Sequence, residues 1–124
     1  MRVLVVEDEE RLATGIRAGL EAEGFAVDVA HTGTDGYALA RTEPYDAIVL
    51  DIMLPGMNGL DVLKAIRSDN ALSSLPVMVL TAKGQASDRR AAEAIGADAF
   101  VTKPFSNAEV VERVSRLAEG IVPR

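Results

Sequence analysis

Five short apolar runs alternate with five segments of helical periodicity, and no other feature of the sequence restricts the fold so strongly. The predicted strands cover residues 2–6, 26–30, 46–51, 76–81 and 99–102, and the predicted helices cover residues 9–23, 33–42, 58–69, 87–96 and 107–119. Strict alternation of this kind is typical of a parallel sheet with helices on its faces. The first, third and fourth runs are continuously apolar, which indicates strands covered on both sides. The second run contains Asp28 and suits an edge of the sheet.

Helix boundaries are also readable in the sequence. Gly24 and Gly96 can adopt the left-handed conformation that ends many helices. Ser106 is followed three residues later by Glu109, which is the capping-box pattern at the start of the last helix. That helix carries an apolar stripe at 3.6-residue spacing, made of Val110, Val111, Val114, Leu117 and Ala118. We therefore predict one domain over residues 1–119, followed by a tail or the start of a linker at 120–124.

Composition narrows the functional classes. The chain has 124 residues, 48% of them hydrophobic, which fits one compact α/β domain. Its net charge of −6 argues against direct nucleic-acid binding by this domain, because such proteins cluster Lys and Arg against the phosphate backbone. There is no Cys, which excludes disulfides and thiolate metal sites. No signal-peptide pattern or membrane-length apolar run is present, so we expect a cytoplasmic protein without a membrane partner.

Polar side chains follow four of the predicted strands. Glu7 and Asp8 follow the first strand, Asp51 ends the third, Thr81 ends the fourth, and Lys103 follows the fifth. In a parallel doubly wound sheet these positions meet at the carboxyl edge, where ligands bind. Three neighbouring carboxylates repel one another unless protons or a cation intervene. Oxygen ligands without His or Cys favour Mg²⁺, with Mn²⁺ as an alternative.

A carboxylate-bound metal beside an amine and a hydroxyl suits phosphoryl transfer, in which the protein mainly positions groups and neutralises charge. A carboxylate can itself be the nucleophile and form an aspartyl phosphate. Asp51 is the best-placed nucleophile, because it is central and ends the most apolar strand. The Met53 carbonyl could complete the metal shell, Lys103 would neutralise one phosphoryl oxygen, and Thr81 would hydrogen-bond another.

Four segments give the chain a family resemblance. It resembles the receiver domain of two-component response regulators along essentially its whole length. The segments are VLVVEDE at residues 3–9, DIMLPGMNG at 51–59, TA at 81–82, and GADAFVTKPF at 96–105. Each motif is modest by itself, but their order and spacing together make a strong signal.

The resemblance implies a flavodoxin-like, doubly wound (βα)5 fold with a five-stranded parallel sheet of order 2-1-3-4-5. It implies that Asp51 accepts a phosphoryl group from a histidine kinase or phosphotransfer protein. It also implies that Asp8, Asp51 and the Met53 carbonyl hold Mg²⁺. Glu7 stands where Asp is also common, and its extra methylene favours contact through a metal-bound water.

The resemblance further implies a switch. Thr81 and Phe100 would form the switch pair, in which the hydroxyl moves toward the phosphoryl group and the ring follows. This movement would alter the face formed by the fourth helix, the fifth strand and the fifth helix, which would act on a downstream effector and is compatible with homodimerisation. Phe100 lacks the hydroxyl that a Tyr would carry. The family also implies a cis bond between Lys103 and Pro104.

Several alternatives stand beside this hypothesis. Taken singly, Asp51 would be a turn or cap residue, Phe100 a core residue, and His31 a surface residue after the second strand. The chain could be a receiver-like interaction module that no longer switches. It could also be a Mg²⁺-dependent phosphohydrolase of the haloacid dehalogenase type. Members of that family have a second Asp two residues after the nucleophile, however, and this chain has Met53 there. In the favoured hypothesis the chain promotes its own phosphorylation and dephosphorylation and turns over no separate substrate.

Overall fold

Five parallel strands form the centre of the computed structural model, which describes residues 1–120. The strands are β1 (Arg2–Val6), β2 (Ala26–Ala30), β3 (Ala47–Asp51), β4 (Val77–Thr81) and β5 (Ala99–Thr102). The helices are α1 (Glu10–Ala22), α2 (Gly33–Thr42), α3 (Gly59–Ser68), α4 (Ala86–Ile95) and α5 (Asn107–Ala118). The sheet order is β2-β1-β3-β4-β5, so the predicted fold is confirmed. Most of the predicted tail, residues 121–124, lies outside the described residues.

Two apolar cores cover the sheet, one on each face. Successive side chains of a strand point to opposite faces, and β1 accordingly divides between the two cores. Val3 and Val5 pack with residues of α1 and α5. Leu4 and Val6 pack with residues of α2, α3 and α4. Burial on both faces explains the continuously apolar runs, and it holds the ends of the central strands in fixed positions.

The edge position predicted for β2 is confirmed, and Asp28 has a defined role there. Its Oδ2 accepts hydrogen bonds from Arg2 Nη2 at 2.9 Å and from the Tyr45 hydroxyl at 2.7 Å. The edge of the sheet can hold this partly buried carboxylate, because Arg2 and Tyr45 satisfy the charge and hydrogen-bonding capacity of Asp28.

The predicted helix boundaries agree with the structure to within one residue. Gly24 and Gly96 have φ angles of 92° and 116°, in the left-handed region. The Ser106 Oγ accepts a hydrogen bond from the Glu109 amide at 3.1 Å, which caps α5. Among the described residues, no helix has both the length and the apolar character needed to cross a membrane.

Candidate functional site

The carboxyl edge of the sheet brings the predicted site residues together. Asp51 and Thr81 are the last residues of β3 and β4, and parallel pairing places Asp51 beside Leu80. Glu7 follows β1 directly, and its amide continues the pairing with β2 through the Ala30 carbonyl at 3.0 Å. The Glu7, Asp51 and Thr81 side chains are buried in this edge.

Lys103 joins two of the carboxylates. Its Nζ lies 3.0 Å from Asp51 Oδ2 and 3.2 Å from Glu7 Oε1. Burial lowers the pKa of the Lys103 amine, but the hydrogen bond and charge of Asp51, followed by the charge of Glu7, outweigh it and raise the pKa above its ordinary value. The amine therefore remains a cation at neutral pH. The bond between Lys103 and Pro104 is cis, as the family resemblance implies.

Glu7 is fully buried at the end of β1. Burial raises the pKa of Glu7 to about 7, and the negative charge of Asp51 acts in the same direction. The hydrogen bond that the Glu9 amide donates to Glu7 Oε2 at 3.0 Å, together with Lys103, lowers this pKa in part. The raised pKa lets Glu7 take up a proton near neutral pH.

A Glu7→Gln substitution is expected to stabilise the metal-free chain above pH 7 but not near pH 4.5. The pKa of Glu7 is raised on folding from 4.5 to about 7, so the native state binds more protons than the unfolded state between these values. Stability of the wild-type chain therefore falls as pH rises through this window, by about 1–3 kcal/mol. The neutral amide removes this loss. Urea unfolding in EDTA at pH 5 and pH 8 measures it, and an equal difference between the two proteins at both pH values would contradict it.

Glu7, Asp8 and Asp51 form an acidic group that fits a divalent cation. Each carboxylate offers one oxygen, and these oxygens lie within 4.8 Å of one another. Asp8 is exposed, so the group opens to solvent on that side. Glu7 Oε1 is buried and makes no hydrogen bond to any described residue, since its approach to Lys103 lacks hydrogen-bond geometry. An oxygen-only donor set with a buried oxygen lacking a hydrogen bond suits Mg²⁺ or Mn²⁺.

The loop after β3 packs tightly against Asp51. The Met53 amide donates to Asp51 Oδ1 at 3.3 Å, and the Met53 side chain is exposed. A Cβ on Gly59 would lie 2.1 Å from the Asp51 carbonyl oxygen, so only glycine fits at this place. Asn58 caps α3 by accepting from the Asp61 amide at 3.0 Å. The Met53 amide thus orients the Asp51 carboxylate, while Gly59 and Asn58 hold the backbone that follows it.

The two predicted switch residues lie on neighbouring strands, at different depths. The Thr81 hydroxyl lies 3.3 Å from the Thr102 hydroxyl of β5. Phe100 is half-buried, and its ring packs at the border of the core on the α4 side. The Arg89 guanidinium lies 4.9 Å from the centre of this ring, and Arg113 Nη1 donates to the Phe100 carbonyl at 2.7 Å. Neither arginine contact is indicated by the sequence, because helix periodicity does not show what a long exposed side chain touches.

His31 is exposed, as predicted for a surface residue after β2. Its Nδ1 lies 2.9 Å from the Glu7 carbonyl oxygen. Because a carbonyl only accepts hydrogen bonds, this contact requires a proton on Nδ1. His31 therefore supports the backbone beside the acidic group.

Comparison with known proteins points to one family. Residues 3–115 match the family model described as the response regulator receiver domain. The transcriptional regulatory protein CusR of Escherichia coli is 44% identical over 117 residues, which cover 94% of this chain and 51% of CusR. The chain thus spans about half the length of the curated relatives it matches.

Two solved structures share the fold over nearly the whole of both chains. The Francisella response regulator 1452 receiver domain has a TM-score of 0.88 at 34% identity, covering 96% of this chain and 97% of its own. The receiver domain of a sensor histidine kinase from Pseudomonas aeruginosa has a TM-score of 0.85 at 30% identity, covering 95% and 97%. That domain was crystallised with a magnesium ion coordinated in its active-site cleft.

Proposed function

This chain belongs to the receiver domain family of two-component response regulators, and from that membership we propose that it is a signalling switch phosphorylated on Asp51. The observation that carries the proposal is the contact of the buried Asp51 carboxylate with Lys103 at 3.0 Å, inside an acidic group open to solvent at Asp8. The donor is a histidine kinase or a phosphotransfer protein. The chain promotes its own phosphorylation and dephosphorylation and has no separate substrate.

Each side chain has a defined part in the transfer. A carboxylate oxygen of Asp51 forms a bond to phosphorus while the bond from phosphorus to the donor's imidazole nitrogen breaks, and the donor keeps the electron pair. Lys103, already beside Asp51, moves to neutralise charge on a phosphoryl oxygen. Thr81, at the end of the adjacent strand, donates a hydrogen bond from its hydroxyl to another phosphoryl oxygen.

The acidic group would hold Mg²⁺ through Asp8 and Asp51, with Glu7 acting through a bound water and Met53 through its backbone carbonyl. When bound, the cation neutralises charge that develops on the phosphoryl oxygens. The magnesium in the related Pseudomonas aeruginosa domain supports this assignment. So does the oxygen-only character of the group in this chain.

The readout is a change in the face made of α4, β5 and α5. A phosphoryl group on Asp51 raises the negative charge of that side chain from one to as many as two, and its oxygens draw the Thr81 hydroxyl inward, which lets the Phe100 ring follow. This face would then contact a downstream effector or a second copy of the chain. Because the curated relatives are about twice as long, an effector in the same polypeptide is consistent with the proposal. We place this signalling in the cytoplasm.

The test is incubation with acetyl phosphate and Mg²⁺, read by intact mass spectrometry. We expect one phosphoryl adduct with Mg²⁺ and none when EDTA removes the cation. An unmodified chain in the presence of Mg²⁺ would overturn the proposed function. Adduct formation that EDTA leaves unchanged would overturn the assignment of the acidic group.

A further inference from the structure

We propose that Arg89 is a positioning residue for Phe100, which holds the aromatic ring against α4 while Asp51 is unphosphorylated. The inference rests on the proposed function, because it concerns how that switch is biased. Arg89 lies on the first turn of α4, and Phe100 is the second residue of β5. The guanidinium carbon lies 4.9 Å from the ring centre, within the range of a cation–π contact.

The contact is favourable because of where the two groups lie. An aromatic face carries negative electrostatic potential, so a cation over it is attracted. Half-burial of Phe100 keeps part of the ring within reach of the exposed Arg89. A guanidinium is planar and weakly hydrated, which suits it to stacking better than an ammonium. Arg89 therefore favours the ring position seen in this structure.

A second arginine contacts the backbone of Phe100, whereas Arg89 contacts its ring. Arg113 of α5 donates to the Phe100 carbonyl at 2.7 Å and also pairs with Glu109 at 3.4 Å. The backbone of Phe100 is thus held by the β5 pairing and by α5. Its side chain is held on the α4 side by Arg89. Rotation of the ring is then the movement that α4 controls.

The position of Thr81 links this contact to the phosphorylation site. Its hydroxyl lies 3.3 Å from Thr102, two residues beyond Phe100 on β5. If the phosphoryl group draws Thr81 away, space opens beside β5, and the ring can fill it only by leaving Arg89. Loss of the contact between Arg89 and the ring destabilises the phosphorylated arrangement relative to the unphosphorylated one. Removing Arg89 is therefore expected to shift the equilibrium toward that arrangement.

Beryllofluoride with Mg²⁺, a mimic of the phosphoryl group, provides the test. Amide chemical shifts of the chain are followed by NMR as beryllofluoride is added. We expect Arg89→Ala to reach half-saturation at about 2–5-fold lower beryllofluoride than the wild type, as a modest cation–π contact predicts. Arg89→Lys is expected to fall between the two. Arg90→Ala removes the same charge one residue further on and is expected to match the wild type.

A double variant isolates the ring contact. In a Phe100→Leu background, Arg89→Ala is expected to cause no further shift in half-saturation, because the aromatic face is absent. In the free wild-type chain the ring should also shift the Arg89 side-chain proton signals upfield, and beryllofluoride should reverse that shift.

Three outcomes would overturn the inference. Arg89→Ala and Arg90→Ala could have equal effects, which would mean that only net charge matters. The effect of Arg89→Ala could persist at full size in the Phe100→Leu background, which would exclude the ring as its target. A wild-type chain that gains the acetyl phosphate adduct but keeps the Arg89 proton shifts with beryllofluoride would also refute the positioning role of Arg89, while leaving the proposed function intact. A wild-type chain that gains no adduct would refute the proposed function itself.

Discussion

An Asp51→Asn variant is expected to gain no phosphoryl group from acetyl phosphate and Mg²⁺, whereas the wild-type chain gains one. The amide keeps the shape of the side chain and can still accept from the Met53 amide, which lies 3.3 Å from Asp51 Oδ1. It lacks the anionic oxygen that must form the bond to phosphorus. Loss of the adduct would therefore report lost chemistry rather than a changed fold. Intact mass spectrometry measures it, and circular dichroism checks the fold of the variant.

Asp61→Asn is the matched control for this prediction. Asp61 is an exposed carboxylate in the first turn of α3, and it lies outside the acidic group. The control is expected to gain the adduct like the wild type. If the same fraction of Asp51→Asn chains gained the adduct as of wild-type chains, another group would be the phosphoryl acceptor.

An Asp8→Asn variant is expected to bind Mg²⁺ on the order of 100-fold more weakly, which corresponds to about 2.7 kcal/mol. Glu7 and Asp51 each pair with Lys103, at 3.2 and 3.0 Å, so part of their charge is already neutralised. Asp8 is the exposed member of the group and has no such ion pair among the described residues. It therefore contributes the largest share of the attraction for a hard cation. Isothermal titration calorimetry at pH 8 measures the affinity.

Glu10→Gln separates this specific effect from net charge. Glu10 is the exposed first residue of α1, two positions after Asp8 and outside the acidic group. We expect its loss to weaken Mg²⁺ binding by no more than about 2-fold, because exposed charges at this distance are screened by salt. Similar losses of affinity in Asp8→Asn and Glu10→Gln would contradict a direct role for Asp8.

The sequence contained enough information to predict the fold and the meeting place of the polar residues. Asp28 marked the edge strand because a charge interrupts an otherwise apolar run, and β2 lies at that edge. Asp51, Thr81 and Lys103 could be predicted as neighbours because parallel strands end at one edge. Both inferences need only the periodicity of the chain and the direction of the strands, and neither needs a side-chain conformation.

Contacts that depend on side-chain direction could not be predicted. Arg67 of α3 donates to the Gly96 carbonyl at 2.9 Å and to Asp98 Oδ2 at 2.8 Å, across about 30 positions of sequence. Arg89 stays exposed, but its guanidinium lies over the Phe100 ring. Arginine side chains reach far and adopt many rotamers, so their targets follow from the packed fold and not from helix periodicity.

The burial of Glu7 shows the same limit. Its position next to β1 was readable, but its orientation decides whether the carboxylate faces water or the interior. The structure buries it fully beside Lys103 and raises its pKa to about 7. Binding of Mg²⁺ at the acidic group is therefore expected to release protons from Glu7 near neutral pH.

The most direct test of the central claim is the location of the phosphoryl group. Borohydride delivers one hydride to the carbonyl carbon of an acyl phosphate, which releases phosphate and leaves an aldehyde. A second hydride reduces that aldehyde to the alcohol of homoserine. After treatment with acetyl phosphate and Mg²⁺, trypsin cleavage at Arg41 and Lys64 yields the peptide of residues 42–64, which contains Asp46, Asp51 and Asp61. Tandem mass spectrometry is expected to find homoserine at position 51. Homoserine at position 46 or 61, or at position 8 in the peptide that ends at Arg11, would contradict the account.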